Sequence, residues 1–376
     1  MKILIAGDYC PIGRTKEYLK KEDFEGLFNG FQNIIKEVDY SVVNFECPVT
    51  KSVAKIDKTG PCIKTEDDNA FKALKFAGFN LLTLANNHIQ DYGEIGVLDT
   101  IAHAKKHQFD IVGAGKDRDT AAIPIIVNIK GSDVGFINIA ENEFCAAAKN
   151  YAGANTFDLI DNTKTINELK KKVDKLVLIY HGGREHYQLP TPDLRKKFRF
   201  FIDSGVDAIV AHHTHCFSGY EYYNNKPIVY SLGNFIFDYK EKYQKGLWTE
   251  GMSVILNLDC ENFKVELIPY SQGRKDNSSL QLLNNEDKIN FLKRVEVLNK
   301  IIINDDLFFE EWQKYLKTQE RFYLSSLYIK NLYLRAFFMY GILPIALLKT
   351  KHNKLILNLM RCEAHHEISK EILDRV

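Results

Sequence analysis

Six of the eleven histidines lie in three short segments, which hold His88, then His181 and His186, then His212, His213 and His215. Each segment also carries polar or glycine neighbours: Ala85-Asn86-Asn87-His88, His181-Gly182-Gly183-Arg184-Glu185 and His212-His213-Thr214-His215. Two more polar groups follow apolar runs nearer the start, Gly7-Asp8 and Asn44-Phe45-Glu46-Cys47-Pro48. Singly, each has an ordinary explanation, since Gly-Asp makes turns and Asn caps helices. Together they supply two acids, an Asn-His pair, a lone His and a His-x-His. Such a mixed oxygen and nitrogen set suits Mn, Fe or Zn, whereas calcium takes oxygen alone and structural zinc favours thiolate. Alternate strand residues point the same way, so an extended His213-Thr214-His215 would grip one metal pair. In a turn the two rings would diverge onto different metals, and the spacing leaves His212 open as the ligand in place of His213.

Short apolar runs bounded by turn residues precede these groups and read as buried strands: Lys2–Ala6, Tyr40–Phe45, Asn80–Leu84, Lys175–Tyr180 and Asp207–Ala211. Further strands are expected at Asp110–Val112, Ile123–Ile129, Val134–Ala140 and Ile228–Ser231. Helical patterns fall between them at Asp67–Ala77, Gly93–His107, Thr163–Val173 and Pro192–Ser204, the last opened by Thr191-Pro192. This alternation predicts an α/β layered fold, in which ligands collect beyond the ends of the strands. Ser253–Leu258 and Lys264–Ile268 read as an antiparallel hairpin. After a polar linker, Arg274–Ser279, the pattern turns helical at Glu286–Ile303, Leu307–Leu316, Gln319–Phe338 and Leu355–Leu373. The expected organisation is an α/β domain over residues 1–272 and a helical extension over 280–376.

Composition narrows the classes. With 376 residues, 50 basic and 49 acidic side chains, the formal charge is +1, which excludes a dominant nucleic-acid surface and a disordered polyelectrolyte. The seven cysteines, at 10, 47, 62, 145, 216, 260 and 362, show no CxxC spacing and read mostly as core thiols. Residues 1–8 carry no secretory pattern, and the expected location is cytoplasmic. The uncharged stretch Ala336–Leu348 is thirteen residues, too short for the roughly 20 that span a bilayer. It is expected to be a buried helix; a weak membrane-surface or protein contact through the C-terminal helices is the alternative.

In order along the chain, GD (7–8), NFECP (44–48), LANNHIQDYG (84–93), HGGREH (181–186), GVDAIVAHHTH (205–215) and YSLGNFIFD (230–238) resemble the CapA family of bacterial poly-γ-glutamate capsule synthesis proteins. The resemblance covers about residues 1–270. That family is similar to the calcineurin-like metallophosphoesterases, which implies a four-layer α/β/β/α sandwich, here with a C-terminal helical extension, around two divalent transition metals. Position by position it implies Asp8, Glu46, Asn87, His181, His213 and His215 as metal ligands, with Glu46 in the bridging place and His88 near the leaving group. Motifs peculiar to the family make Glu185, Ser231 and Asn234 candidates for substrate recognition or for supporting the ligands, with His212 a further one. Arg14 and Arg184 are the bidentate cations expected to meet an anion.

Three departures stand out. Asp8-Tyr9-Cys10 replaces the usual Asp-x-His, Glu46 replaces a bridging Asp, and Ala211 stands where a glycine commonly precedes the closing histidines. The resemblance implies metal-dependent phosphoester hydrolysis on a phosphorylated or anionic glycan or polymer precursor. In that chemistry His88 protonates the leaving oxygen, with Arg14 and Glu185 beside it. Two other readings remain: a polymer-binding assembly factor with a degenerate site, and amide transfer or cleavage on poly-γ-glutamate.

Overall fold

The computed structural model describes residues 1–258, 263–349 and 352–373; Cys260, Thr350 and Lys351 lie outside them. Strict alternation along the first strands sorts their side chains into two cores. Ile3, Ile5, Val42, Val177, Ile179, Ala208 and Val210 share one apolar cluster, whereas Leu4, Ala6, Val43 and Phe45 belong to another. The first cluster joins residues from two sheets, so it is the seam between them. The second joins one sheet to the helices that cover it, including Asn69–Ala77 with Ala70, Phe71, Ala73 and Leu74 buried.

The first sheet runs, edge to edge, Gln281–Leu282, Lys264–Ser271, Glu250–Asn257, Lys2–Tyr9, Tyr40–Phe45, Leu81–Thr83 and Asp110–Val112. Its four N-terminal strands are parallel, and Asn234–Ile236 also pairs in parallel with the end of Lys2–Tyr9. The second sheet runs Tyr220–Tyr223, Lys226–Val229, Ala208–His212, Lys175–His181, Ser132–Ala140 and Ile125–Ile129. Its outer face meets helices Leu159–Lys170 and Pro192–Asp203, where Tyr180 packs edge-on against Phe198 at 5.1 Å. Thr191 caps the second of these by accepting from the Leu194 N–H, with proline in the first turn as expected. Helix, sheet, sheet, helix is the four-layer arrangement anticipated.

The chain forms two compact units, Met1–Asp305 and Asp306–Val376. Helix Asn285–Ile303 belongs to the first, where Phe291 and Val295 join the seam between the sheets, so the helical part expected from residue 280 does not form one body. In the second unit the boundaries differ from expectation. Asp305–Tyr328 is continuous, because nothing at Lys317-Thr318 breaks the helix, and the break comes before Asn331, which caps Leu332–Met339. The run expected as one helix over Leu355–Leu373 is two, His352–Arg361 and Glu363–Leu373.

Candidate metal centre

Strand period places the polar groups before any contact is considered. Asn44 and Glu46 follow Val42 at steps of two, His181 follows Val177 and Ile179, and His212 follows Ala208 and Val210. All therefore share the face that looks into the seam. Asp8 is the exception, because alternation from Leu4 and Ala6 would turn it toward the helices. The pairing with Tyr40–Phe45 slips between Ala6 and Asp8, and this irregularity at Gly7 turns Asp8 inward. Only glycine fits there, since a Cβ would come within 2.1 Å of the Gly233 carbonyl oxygen.

Register then aligns the rows. Asp8 stands beside Asn44 and Asn234 in the first sheet, and His181 beside Ala140 and His212 in the second. Within the first sheet Asn44 Nδ2 donates to Asp8 Oδ1 at 2.7 Å, and across the seam it lies 3.1 Å from His181 Nδ1. His212 Nδ1 lies 3.2 Å from Asp8 Oδ1.

Two triads of ligand-type atoms result, Glu46 with His181 and His213, and Asp8 with Glu46 and His215. Glu46 is common to both. Its Oε1 lies 3.6 Å from His181 Nε2 and 3.8 Å from His215 Nε2. Asn87 Oδ1 joins the first triad, 3.0 Å from His181 Nε2, and His213 Nδ1 is 3.2 Å from the same nitrogen. The His-x-His segment is a turn, with φ of 90° at His213 and 54° at His215. Left-handed backbone at two non-glycine residues costs about 1–3 kcal/mol each and recurs at functional segments. The turn sends the two rings to different triads. His212 faces Asp8 and is in neither triad.

The buried charges are arranged for a cation. Both carboxylate oxygens of Glu46 are buried without a hydrogen-bond partner among the described residues. Burial pushes the Glu46 carboxyl well above its ordinary range, and the neighbouring Asp8 charge adds to this. Burial pushes His181 well down, with His213 next in effect, and takes His213 down to about 4. Burial also lowers His215. For Asp8, burial opposes the charged form, but His212, His181 and His215 outweigh it and hold the carboxyl below its usual range. Neutral imidazoles beside carboxylates present lone pairs, which is the state that ligates a metal. The donor set and the unpartnered Glu46 fit divalent transition metals.

A profile of the bacterial capsule synthesis protein family, PGA_cap, matches residues 2–239. The chain belongs to that family. The PGA biosynthesis protein CapA of Bacillus subtilis is 36% identical over 238 residues, covering 62% of each chain. The capsule biosynthesis protein CapA of Bacillus anthracis is 32% identical over 249 residues, 63% of this chain and 60% of its own. The chain thus matches somewhat under two thirds of these relatives' lengths. Among solved structures, a 5'-nucleotidase precursor from Thermus thermophilus aligns over 71% of this chain and 54% of its own at 12% identity, with a TM-score of 0.43.

Around the triads, further bonds hold the side chains of this capsule synthesis family member in place. His215 Nδ1 lies 2.9 Å from Asn234 Oδ1, and Asn234 Nδ2 donates to the Trp248 carbonyl. Ser231 Oγ meets Thr214 Oγ1 at 2.8 Å and so braces the histidine turn. Glu185 is half-buried. Burial alone would raise its carboxyl, but His215, His213, His186 and His88 hold it down, which puts it in the field of the cluster. Arg184 is also half-buried, and the field of its charge falls on His186.

Arg14 is corrected. Its Nε and Nη2 donate to the two oxygens of Asp238 at 3.0 and 2.8 Å, and its remaining bonds go to the carbonyls of Gly273, Arg274 and Lys275. The guanidinium expected to meet an anion is a clamp between the first strand's loop and the YSLGNFIFD segment. Cys10, in place of the usual histidine, is fully buried, and burial, with Cys47 next, pushes its thiol well up; it is in neither triad.

Several neighbours carried no assigned role from sequence. Asp91 bonds His88, and buried Lys58 bonds Asp91 from a loop without any motif. Glu143 Oε1 lies 3.9 Å from His213 Nε2, and the Trp248 ring packs 4.5 Å from that of His215. Asp91 was within reach, because it lies three residues after His88 in LANNHIQDYG; Lys58, Glu143 and Trp248 reach the site only through tertiary contacts.

Proposed function

We propose that the cluster is a dinuclear metal centre for phosphoester hydrolysis on an anionic polymer or glycan precursor in capsule synthesis. The observation that carries this reading is Glu46, a buried carboxylate shared by two triads whose oxygens have no hydrogen-bond partner among the described residues. A buried acceptor left unpaired costs about 1–3 kcal/mol, so its persistence calls for a cation. In this reading Glu46, His181, His213 and Asn87 hold one ion, and Asp8, Glu46 and His215 the other. Bound divalent ions supply Lewis acidity, which lowers the pKa of water and draws charge from phosphoryl oxygens.

The chain's own residues do the rest. Asp91 accepts at His88 Nδ1, which leaves Nε2 to deliver a proton to the leaving oxygen. Asn234 fixes the His215 ring, and Asn44 ties Asp8 to His181 across the seam. Glu185, half-buried in the field of the histidines, orients a substrate hydroxyl or amine in this reading. The curated relatives' names support a polymer substrate, and the metal is Mn, Fe or Zn by donor chemistry.

Metal analysis of protein purified without chelator, with hydrolysis of an aryl phosphate in Mn²⁺, tests the proposal. Two equivalents of metal and activity lost in Asp8→Ala and His181→Ala are expected. Less than one equivalent, or equal activity in all three proteins, overturns it. A second reading, polymer binding without efficient hydrolysis, is favoured by buried Cys10 in place of the usual histidine. It predicts full metal with no turnover.

A further inference from the structure

From Arg321 to Cys362 the sequence holds 42 residues with no Asp or Glu and seven Lys or Arg. A chain that is otherwise balanced therefore concentrates positive charge in one segment of its second unit. The same segment was expected to bury its apolar residues, and it does not. In helix Leu332–Met339 only Phe338 is buried. Tyr333 and Tyr340 are each 84% exposed, and Leu332, Ile342 and Leu347 are more than 60% exposed. Tyr333, Phe337 and Tyr340 fall at i, i+4 and i+7, one stripe on the side away from Phe338. The following helix, His352–Arg361, also exposes Leu355 and Met360.

We propose that this face docks on an anionic lipid surface. Exposed apolar area of this extent marks a contact with a partner or a membrane. The charge decides which. Lys330, Arg335, Lys354 and Arg361 have no ion pair among the described residues, while Lys349 pairs with Glu320. A second copy would set these cations against their own kind. Anionic headgroups match them, and long basic side chains reach such headgroups while their stems lie along apolar surface. Tyrosine suits the boundary, with its ring in the apolar layer and its hydroxyl in the wet one. No helix among the described residues is long and apolar enough to cross a membrane, so the geometry is that of helices lying in the interface.

The test is flotation of the full-length protein with vesicles of phosphatidylcholine alone or mixed with phosphatidylglycerol, in low and high salt. Comigration with the anionic vesicles is expected, weakened by salt. Tyr333→Ser with Tyr340→Ser, and separately Lys330→Glu with Lys354→Glu, are each expected to weaken it roughly tenfold or more. These side chains are exposed, so circular dichroism should be unchanged, and the two variants check each other. No comigration, equal binding to neutral and anionic vesicles, or indifference to both variants overturns the proposal. So does self-association in light scattering that the tyrosine variant abolishes, which would assign the face to a second copy.

Discussion

Oδ2 of Asp91 lies 2.7 Å from Nδ1 of His88, and the same oxygen accepts the backbone N–H of Ile63 at 2.7 Å. The other oxygen is bonded by the ammonium of Lys58, itself buried. The carboxylate is thus immobilised from three sides and leaves His88 one ring orientation. Replacing His88 by Ala should lower hydrolysis by about 10²–10⁴-fold with the metal content unchanged. Asp91→Asn should fall in the same direction, because the amide no longer selects the tautomer. Loss of metal in parallel with activity would make His88 a ligand-shell residue and not a proton donor.

Glu46 separates stability from metal binding. In chelator, Glu46→Leu should unfold at higher denaturant than the unaltered chain, by about 1 kcal/mol, because an unsatisfied buried acid is removed. Added Mn²⁺ should raise the melting temperature of the unaltered chain and leave the variant unmoved. A destabilised variant in chelator would mean that Glu46 has a partner within the protein.

Asn234 acts on the metal through His215. Asn234→Ala should weaken metal affinity about 10–100-fold, as loss of a bond that orients a ligating histidine does. Titration with a competing chelator reads this directly, and an unchanged affinity would assign Asn234 to the Trp248 carbonyl alone.

Arg14 should matter for folding and not for the centre. Its bidentate pair leaves Asp238 buried and charged if the arginine is removed. Arg14→Ala should cost about 2 kcal/mol, less than a fully buried pair because the guanidinium is partly exposed, with metal stoichiometry retained. Chemical denaturation and metal analysis of one preparation would show both.

Asp68 provides a pH dependence away from the centre. Burial raises its carboxyl, but bonds from His107, Lys106 and His103 outweigh this and bring it down to about 2. Its folded pKa is below the unfolded value of about 3.9, so its stabilisation is complete above that value and fades as pH falls through about 2. The stability gap between the unaltered chain and Asp68→Asn should therefore be present at about pH 5 and close as pH falls from about 4 toward about 2. A gap that widens over that acidic window would reverse the assignment.

Much of the centre was legible because strand period and chemistry agree. Val42, Asn44 and Glu46, or Val177, Ile179 and His181, announce an apolar face that ends in polar atoms. Five ordered segments of that kind point to one cleft, and the family match over residues 2–239 spans all of them. What period could not decide was Asp8, whose inward turn depends on a slip at Gly7 in the pairing with Tyr40–Phe45 and on the close approach of Gly233, 226 positions away. Nor could spacing choose between His212 and His213, because left-handed backbone at His213 and His215 replaces the extended geometry that alternation assumes. Arg14 was misplaced for the same reason: a guanidinium satisfies whichever carboxylate the fold brings near, and that is Asp238. Ala336–Leu348 was read as buried from its composition, yet burial requires a surface to pack against, and Phe338 alone found one in Leu332–Met339. The sequence by itself determined the layers and the kinds of atoms that meet at the seam, since both follow from local period and side-chain chemistry. Tertiary structure alone decided which of those atoms face one another, because that depends on register and bulges set by partners far away in the chain.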